Sequence, residues 1–79
     1  MEFAKSEKEW AKRAARHLKA ELKRAEVTYE ELAERLREHG FTETKASIAN
    51  KLARATVSAS FFLAALAAIG CEAVQLGDI

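Results

Sequence analysis

The stretch from Val27 to Arg54, VTYEELAERLREHGFTETKASIANKLAR, decides the fold of this chain. Its apolar residues recur at three- and four-residue intervals in two short runs, which is typical of amphipathic helices. Thr28 and Glu31 form the capping-box pattern that begins a helix, because each side chain can bond an otherwise unpaired backbone N–H group. Gly40 is the residue type that most readily ends one. The stretch therefore predicts two short helices joined by a turn that contains one glycine.

Similar signals on both sides of this stretch predict two more helices. Ser6 with Glu9 repeats the capping-box pattern, Ser58 is a further N-cap, and Gly70 is a second terminator. The chain has no proline and only three glycines, which favours helices over a many-turned β fold. The predicted helices run from about Glu7 to Ala25, from Tyr29 to about His39, from Thr44 or Lys45 to Arg54, and from Ala59 to Ile69. We expect one all-α domain over 1–79, with four or five helices, a helix-turn-helix at about 28–54 and a short extended tail at 71–79.

Charge is distributed unevenly along a chain whose net charge is only +1. Residues 1–25 hold eight Lys or Arg and four Glu, whereas residues 26–44 hold two Arg and six Glu. Residues 45–54 hold three cations and no acid, and residues 55–79 hold two acids and no cation. Such asymmetry between segments bears more on nucleic-acid binding than the total does.

The third predicted helix carries the side chains that DNA reading requires. Short polar and amide groups near the start of such a helix reach base edges, and cations beside them hold phosphates. Asn50 has the geometry to pair with adenine, and either Thr42 or Thr44 caps the helix where its N-terminal amides can bind a phosphate. The predicted DNA-binding residues are Thr42, Thr44, Lys45, Ser47, Asn50, Lys51 and Arg54, with Arg13, Arg16 and Lys23 of the first helix as possible phosphate contacts.

The sequence favours neither a membrane protein nor an enzyme. No run of about 18 or more apolar residues is present, and the charged N-terminus lacks the apolar segment of a signal peptide. His17 and His39 lie on different predicted helices, and Cys71 has no neighbouring base or cation, so we expect no catalytic site, no metal site, no cofactor and no small-molecule substrate. A cytoplasmic, nucleoid-associated location is expected.

Three motifs resemble the Cro and phage-repressor type of helix-turn-helix, the XRE-like superfamily. They are TYEELAERL, GFTETKASIANKLAR and SASFFLAALAAIGC, and together with the first helix they cover roughly residues 10–71. The chain departs from that pattern in its longer turn before Gly40 and in the residues ARAT that follow the recognition helix. LKAELKR, VTYEELAERL and FFLAALAAIGC also resemble small bacterial proteins that form a family of unknown function. The first resemblance implies a repressor-like topology with a recognition helix that enters the major groove.

The sequence thus predicts a sequence-specific regulator of transcription, of bacterial or phage type, that binds double-stranded DNA as a homodimer. In this prediction the third helix reads bases and the first two hold phosphates. Phe62, Leu63, Leu66 and Ile69 are expected to be buried. Because Phe61 and Phe62 are adjacent on a helix, one of them is expected to face a partner; candidate dimer residues are Phe61, Leu63, Val74 and Leu76. The alternative is a protein-interaction module, antitoxin-like or an adaptor, that uses the same scaffold without DNA.

Overall fold

Four α-helices make up the fold in the computed structural model, which describes residues 2–79. They are α1 (Glu7–Ala25), α2 (Tyr29–Leu36), α3 (Lys45–Arg54) and α4 (Ala59–Ala68). Short 3-10 turns occur at Arg37–His39 and Leu76–Asp78, and the described part of the chain contains no β-strand. α2 packs against both α3 and α4, and α1 lies across α3 and α4. The predicted all-α class is confirmed.

Each helix begins at a hydroxyl residue that the sequence marks as a cap. The side-chain oxygens of Ser6, Thr28, Thr44 and Ser58 each accept a hydrogen bond from the backbone N–H three residues later. Thr44, and not Thr42, therefore caps α3. The boxes that begin α2 and α3 are complete. The box predicted at Ser6 is only half formed, and the carboxylate of its third residue, Glu9, pairs with Arg13 at 2.8 Å.

The helices end in turns whose closing residue adopts a left-handed backbone. After α2, Gly40 takes φ 85°, and the N–H of Phe41 donates to the carbonyl of Leu36 at 3.0 Å. This closure tightens the last turn into the 3-10 segment Arg37–His39, so α2 ends at Leu36 and not near His39 as predicted. The same pattern ends α1 at Glu26 (φ 57°) and α3 at Ala55 (φ 55°), where no glycine is present.

The core is formed by aliphatic side chains from every helix and by one aromatic ring. Its most buried large residues are Phe61, Leu18, Leu32, Leu36, Ile48 and Leu52, each at most 2% exposed. The ring of Phe61 meets that of Phe41 edge to face, with their centroids 6.1 Å apart. The turn residue Phe41 thus anchors the segment between α2 and α3 to the core.

The predicted orientation of α4 is wrong in part. Phe61 is the ring that fills the core, at 1% exposure, whereas Phe62 is half-buried and Leu63 is 64% exposed. Leu66 is buried as expected, and Ile69 is half-buried against the core. The error has a physical reason: residues 59–68 contain no charge and, apart from Ser60, are apolar around the whole helix, so their spacing does not indicate which side faces inward.

Glu26 gives a direct test of the left-handed helix ends, because its exposed side chain makes no ion pair with another residue of 2–79. We expect Glu26→Gly to raise the free energy of unfolding by about 0.5–1 kcal/mol, since glycine adopts positive φ without the steric cost that other residues meet. In a domain of this size the melting temperature should rise by about 2–8 °C.

The matched control is Glu34→Gly, at an exposed position inside α2. There the same substitution should lower stability by about 0.5–1 kcal/mol, because glycine is a poor helix former. Thermal unfolding of both variants followed by circular dichroism checks this prediction, and a loss of stability in Glu26→Gly would contradict it.

Candidate nucleic-acid interface

The outer face of α3 carries the exposed members of the predicted DNA-binding set. Ile48 and Leu52 turn into the core at 0% and 2% exposure, and successive helical residues are about 100° apart. This rotation places Asn50 almost opposite the buried pair, and Asn50 is exposed. Lys45 and Arg54 are exposed on the same helix, and no acid occurs between them. The outer face therefore combines the amide of Asn50 with the cation of Arg54, and Lys45 adds a cation in the first turn, about 140° away around the helix axis.

Other members of the predicted set have structural partners. The hydroxyl of Thr44 accepts from the N–H of Ser47 at 3.0 Å, and Ser47 Oγ accepts from the N–H of Thr44 at 2.8 Å. The hydroxyl of Ser47 also lies 2.6 Å from Oε1 of Glu43, to which it donates. Thr42 is exposed. Thr44 and Ser47 thus form the capping box at the start of α3, and their hydroxyls are already hydrogen-bonded within the chain.

Lys51 is held at the inner edge of this face. Its Nζ pairs with Oε2 of Glu43 and lies 4.8 Å from the centre of the Phe61 ring, in cation–π geometry. The side chain of Lys51 is 35% exposed, and that of Glu43 only 8%. The positive charge of Lys51 is therefore largely neutralised within the chain, which leaves less of it for a phosphate.

Glu43 is the residue of this region that sequence reasoning did not single out. Burial raises its pKa, but hydrogen bonds from Lys51 and Ser47 outweigh burial and hold the pKa below the ordinary value for a glutamate. The carboxylate is thus ionised at neutral pH. The sequence signal that could have indicated these contacts is spacing. Glu43 precedes Ser47 by four residues and Lys51 by eight, which is close to one and two helical turns.

The predicted phosphate contacts on α1 divide into two groups. Arg13 is half-buried, pairs with Glu9 and donates to the backbone carbonyl of Glu2 at 2.9 Å. Arg16 and Lys23 are exposed, and neither lies within 4.0 Å of a carboxylate in residues 2–79. Only the latter two present cations without an intramolecular partner.

The predicted dimer residues also divide. Leu63 on α4 and Leu76 in the tail are 64% and 62% exposed. Val74 is half-buried against the core, so the tail folds over the domain as an extended segment before its 3-10 turn. Phe61 is a core residue and has no surface to offer a partner, which corrects its assignment to the interface.

The remaining titratable candidates lie apart from one another. His17 is half-buried, with Nε2 4.0 Å from Glu21 and its ring 6.2 Å from that of Phe62. His39 is exposed, and Cys71 is a free, half-buried thiol. Within residues 2–79, no three His, Cys, Asp or Glu side chains are grouped as metal ligands. None of the helices described for 2–79 has the length and apolar character of a membrane span.

Replacing Glu43 by Gln keeps the size of the side chain and removes the charge that Lys51 and Ser47 hold. We expect the free energy of unfolding at pH 7 to fall by about 1–2 kcal/mol, because charge-assisted hydrogen bonds become neutral ones. The matched control is Glu38→Gln, an exposed glutamate without an ion pair in the structure, which should change stability by less than about 0.5 kcal/mol.

The effect of Glu43→Gln should depend on pH. A carboxylate whose folded-state pKa is lowered stabilises the fold above its ordinary pKa, and this contribution is lost as the pH falls through the folded-state value. The stability difference from wild type should therefore shrink between pH 7 and about pH 3. Urea unfolding across that range measures it, and a difference independent of pH would contradict the role assigned to Glu43.

The comparisons with known proteins identify a family and no function. A family model described as a domain of unknown function, DUF6471, matches residues 10–74. No curated protein and no solved structure matches the chain. The matched residues span α1 from its first turns through α4 and the start of the tail. The chain therefore belongs to the DUF6471 family, a domain of unknown function.

Proposed function

We propose that this chain is a sequence-specific regulator of transcription that binds double-stranded DNA and acts in the cytoplasm at the nucleoid. The observation that carries the proposal is the position of Asn50 at the centre of the outer face of α3, with Arg54 one turn further along the same face and Lys45 exposed in the first turn. An amide side chain can bond both N6 and N7 of adenine in the major groove, which admits an α-helix. The likeness of residues 28–71 to repressor-type helix-turn-helix sequences supports the same reading.

The proposed division of labour follows from which side chains are engaged. Asn50 reads a base, and Lys45 and Arg54 bind phosphates or base edges on either side of it. Lys51 contributes mainly by fixing α3, since its ammonium group is paired with Glu43.

A two-fold dimer completes the proposal, because one small module reads few base pairs. Its surface would be the outer side of α4 with the tail, where Leu63 and Leu76 are both largely exposed. No charged residue occurs in α4, so two copies can meet there without burying an unpaired charge. The same two leucines favour the alternative function, a protein-interaction module without DNA.

Asn50→Ala and Arg54→Ala separate base reading from phosphate binding. A preferred site is first selected from random duplexes with the wild-type chain. We expect Asn50→Ala to lower the preference for that site by about 1–3 kcal/mol, because one bidentate base contact is lost. Arg54→Ala should weaken binding to all duplexes and make the plot of log K against log salt shallower by about 0.9 for each chain bound.

Fluorescence anisotropy at several salt concentrations measures both quantities, with Glu38→Gln as a control that should change neither. Equal, sequence-independent losses from Asn50→Ala and Arg54→Ala would contradict the assigned roles. A wild-type chain that binds no duplex even at low salt would exclude DNA binding and leave the protein-interaction alternative.

Leu63→Glu tests the dimer surface. We expect the wild-type chain to sediment as a dimer at micromolar concentration and Leu63→Glu as a monomer, because the substitution places a charge in an apolar contact. Ala20→Glu, at an exposed position on α1, should leave the dimer intact. Analytical ultracentrifugation measures the masses. A wild-type chain that stays monomeric both alone and when bound to its selected DNA site would contradict the proposed dimer.

A further inference from the structure

The outer face of α3 is too weakly charged to account for duplex affinity by itself. With Lys51 paired to Glu43, the whole of α3 presents only two unpaired cations, Lys45 in its first turn and Arg54 in its last. Two phosphate contacts give a slope of log K against log salt of only about −1.8, and proteins that bind duplexes tightly make several more such contacts. A DNA-binding role therefore requires a second cationic surface.

A second surface of this kind lies along α1. Lys8, Lys12, Arg16, Lys19 and Lys23 follow one another at intervals of three or four residues, so they lie within about 80° of each other around the helix. All five are exposed. The row, which we call the α1 stripe, is about 22 Å long, and no acid of α1 interrupts it.

The α1 stripe differs from the other cations of α1 in having no intramolecular counter-charge within residues 2–79. Arg13 pairs with Glu9, Arg24 with Glu21, and Lys51 with Glu43. None of the five stripe residues lies within 4.0 Å of a carboxylate among residues 2–79. The glutamates of α1 are therefore placed so that they neutralise its other cations and leave this face positive.

We infer that the α1 stripe is a contact surface for the sugar–phosphate backbone of duplex DNA and supplies most of the sequence-independent affinity. This inference rests on the proposed function. One strand carries about six phosphates over 22 Å of duplex axis, comparable to the five cations of the stripe. Full engagement would add up to about 4.5 to the magnitude of the salt slope for each chain.

The structure favours a duplex over a membrane surface as the partner. A helix that lies on a membrane inserts apolar side chains beside its cationic ones. On α1 the large apolar side chains Leu18 and Leu22 are instead buried in the core, at 0% and 2% exposure, and Trp10, which is 37% exposed, lies on the side of the helix opposite the stripe. The stripe consequently offers charge alone, which is the chemistry that matches a phosphate backbone.

The test compares two double variants that lower the net charge equally. Lys12→Gln with Lys19→Gln removes two central cations of the stripe, and Arg24→Gln with Arg37→Gln removes two exposed cations elsewhere. Glutamine forms helices about as well as lysine and arginine, so both variants should fold, which circular dichroism confirms. Binding to one duplex of mixed sequence is measured by anisotropy at a series of salt concentrations.

We expect the stripe variant to make the salt slope shallower by about 1.8 for each bound chain and the control variant to change it by less than half of that. Preference for the selected site should be retained by both. Equal changes of the salt slope in the two variants, or no change in either, would overturn the proposed contact of the α1 stripe with DNA and leave the proposed function unaffected. Absence of wild-type duplex binding at low salt would overturn the proposed function itself, and stripe-dependent binding to phosphatidylserine vesicles without duplex binding would overturn both.

Discussion

The carboxylate of Glu43 is the constraint on which the placement of α3 depends. It lies just before the helix, accepts from Ser47 in the first turn and pairs with Lys51 one turn further on. Lys51 in turn lies over the ring of Phe61, which packs against Phe41 from the same turn. A negative charge at this end of α3 is also favoured by the helix dipole. The turn between α2 and α3 is thereby fixed to the core at two points, by one apolar ring and by one ion pair.

This arrangement decides which polar residues of α3 remain available to a ligand. Thr44, Ser47 and Lys51 appear from sequence to be as suitable for DNA as Asn50, because a one-dimensional pattern does not show which hydroxyls and cations the chain uses for itself. In the structure the first two begin the helix and the third neutralises a half-buried glutamate. The residues that fix α3 therefore lie next to its outer face, where Asn50 and Arg54 remain exposed. A rigid support beneath a short exposed reading face is what precise placement of a base-contacting side chain requires.

The sequence was sufficient for features that depend on neighbouring residues and insufficient for those that depend on packing. The bounds of α1 and α3 and the N-caps Ser6, Thr28 and Ser58 could be predicted, because a cap satisfies backbone groups three residues away, whereas the cap of α3 was left open between Thr42 and Thr44. Which phenylalanine of α4 is buried could not be predicted, because that choice is made by contacts with α1 and α2 and no charged residue marks the outer side. The partner of Lys51 was missed for a related reason, since Glu43 lies outside the helix and reaches Lys51 only after the turn has folded. The repressor-like resemblance and the DNA-reading residues remain predictions.

The distribution of glutamates constrains how such a domain can approach a duplex. Glu30, Glu31 and Glu34 are all exposed on α2. The hydrogen bond from the backbone N–H of Thr28 lowers the pKa of Glu31, so this carboxylate is ionised at neutral pH. Phosphates close to this face would meet like charge, which argues against a backbone contact by α2. The phosphate-binding role that the sequence assigned to both α1 and α2 is therefore better matched by α1 alone, whose unpaired cations form a continuous row. If α1 and α3 bind a duplex as proposed, an orientation that keeps the glutamates of α2 away from its phosphates is electrostatically favoured.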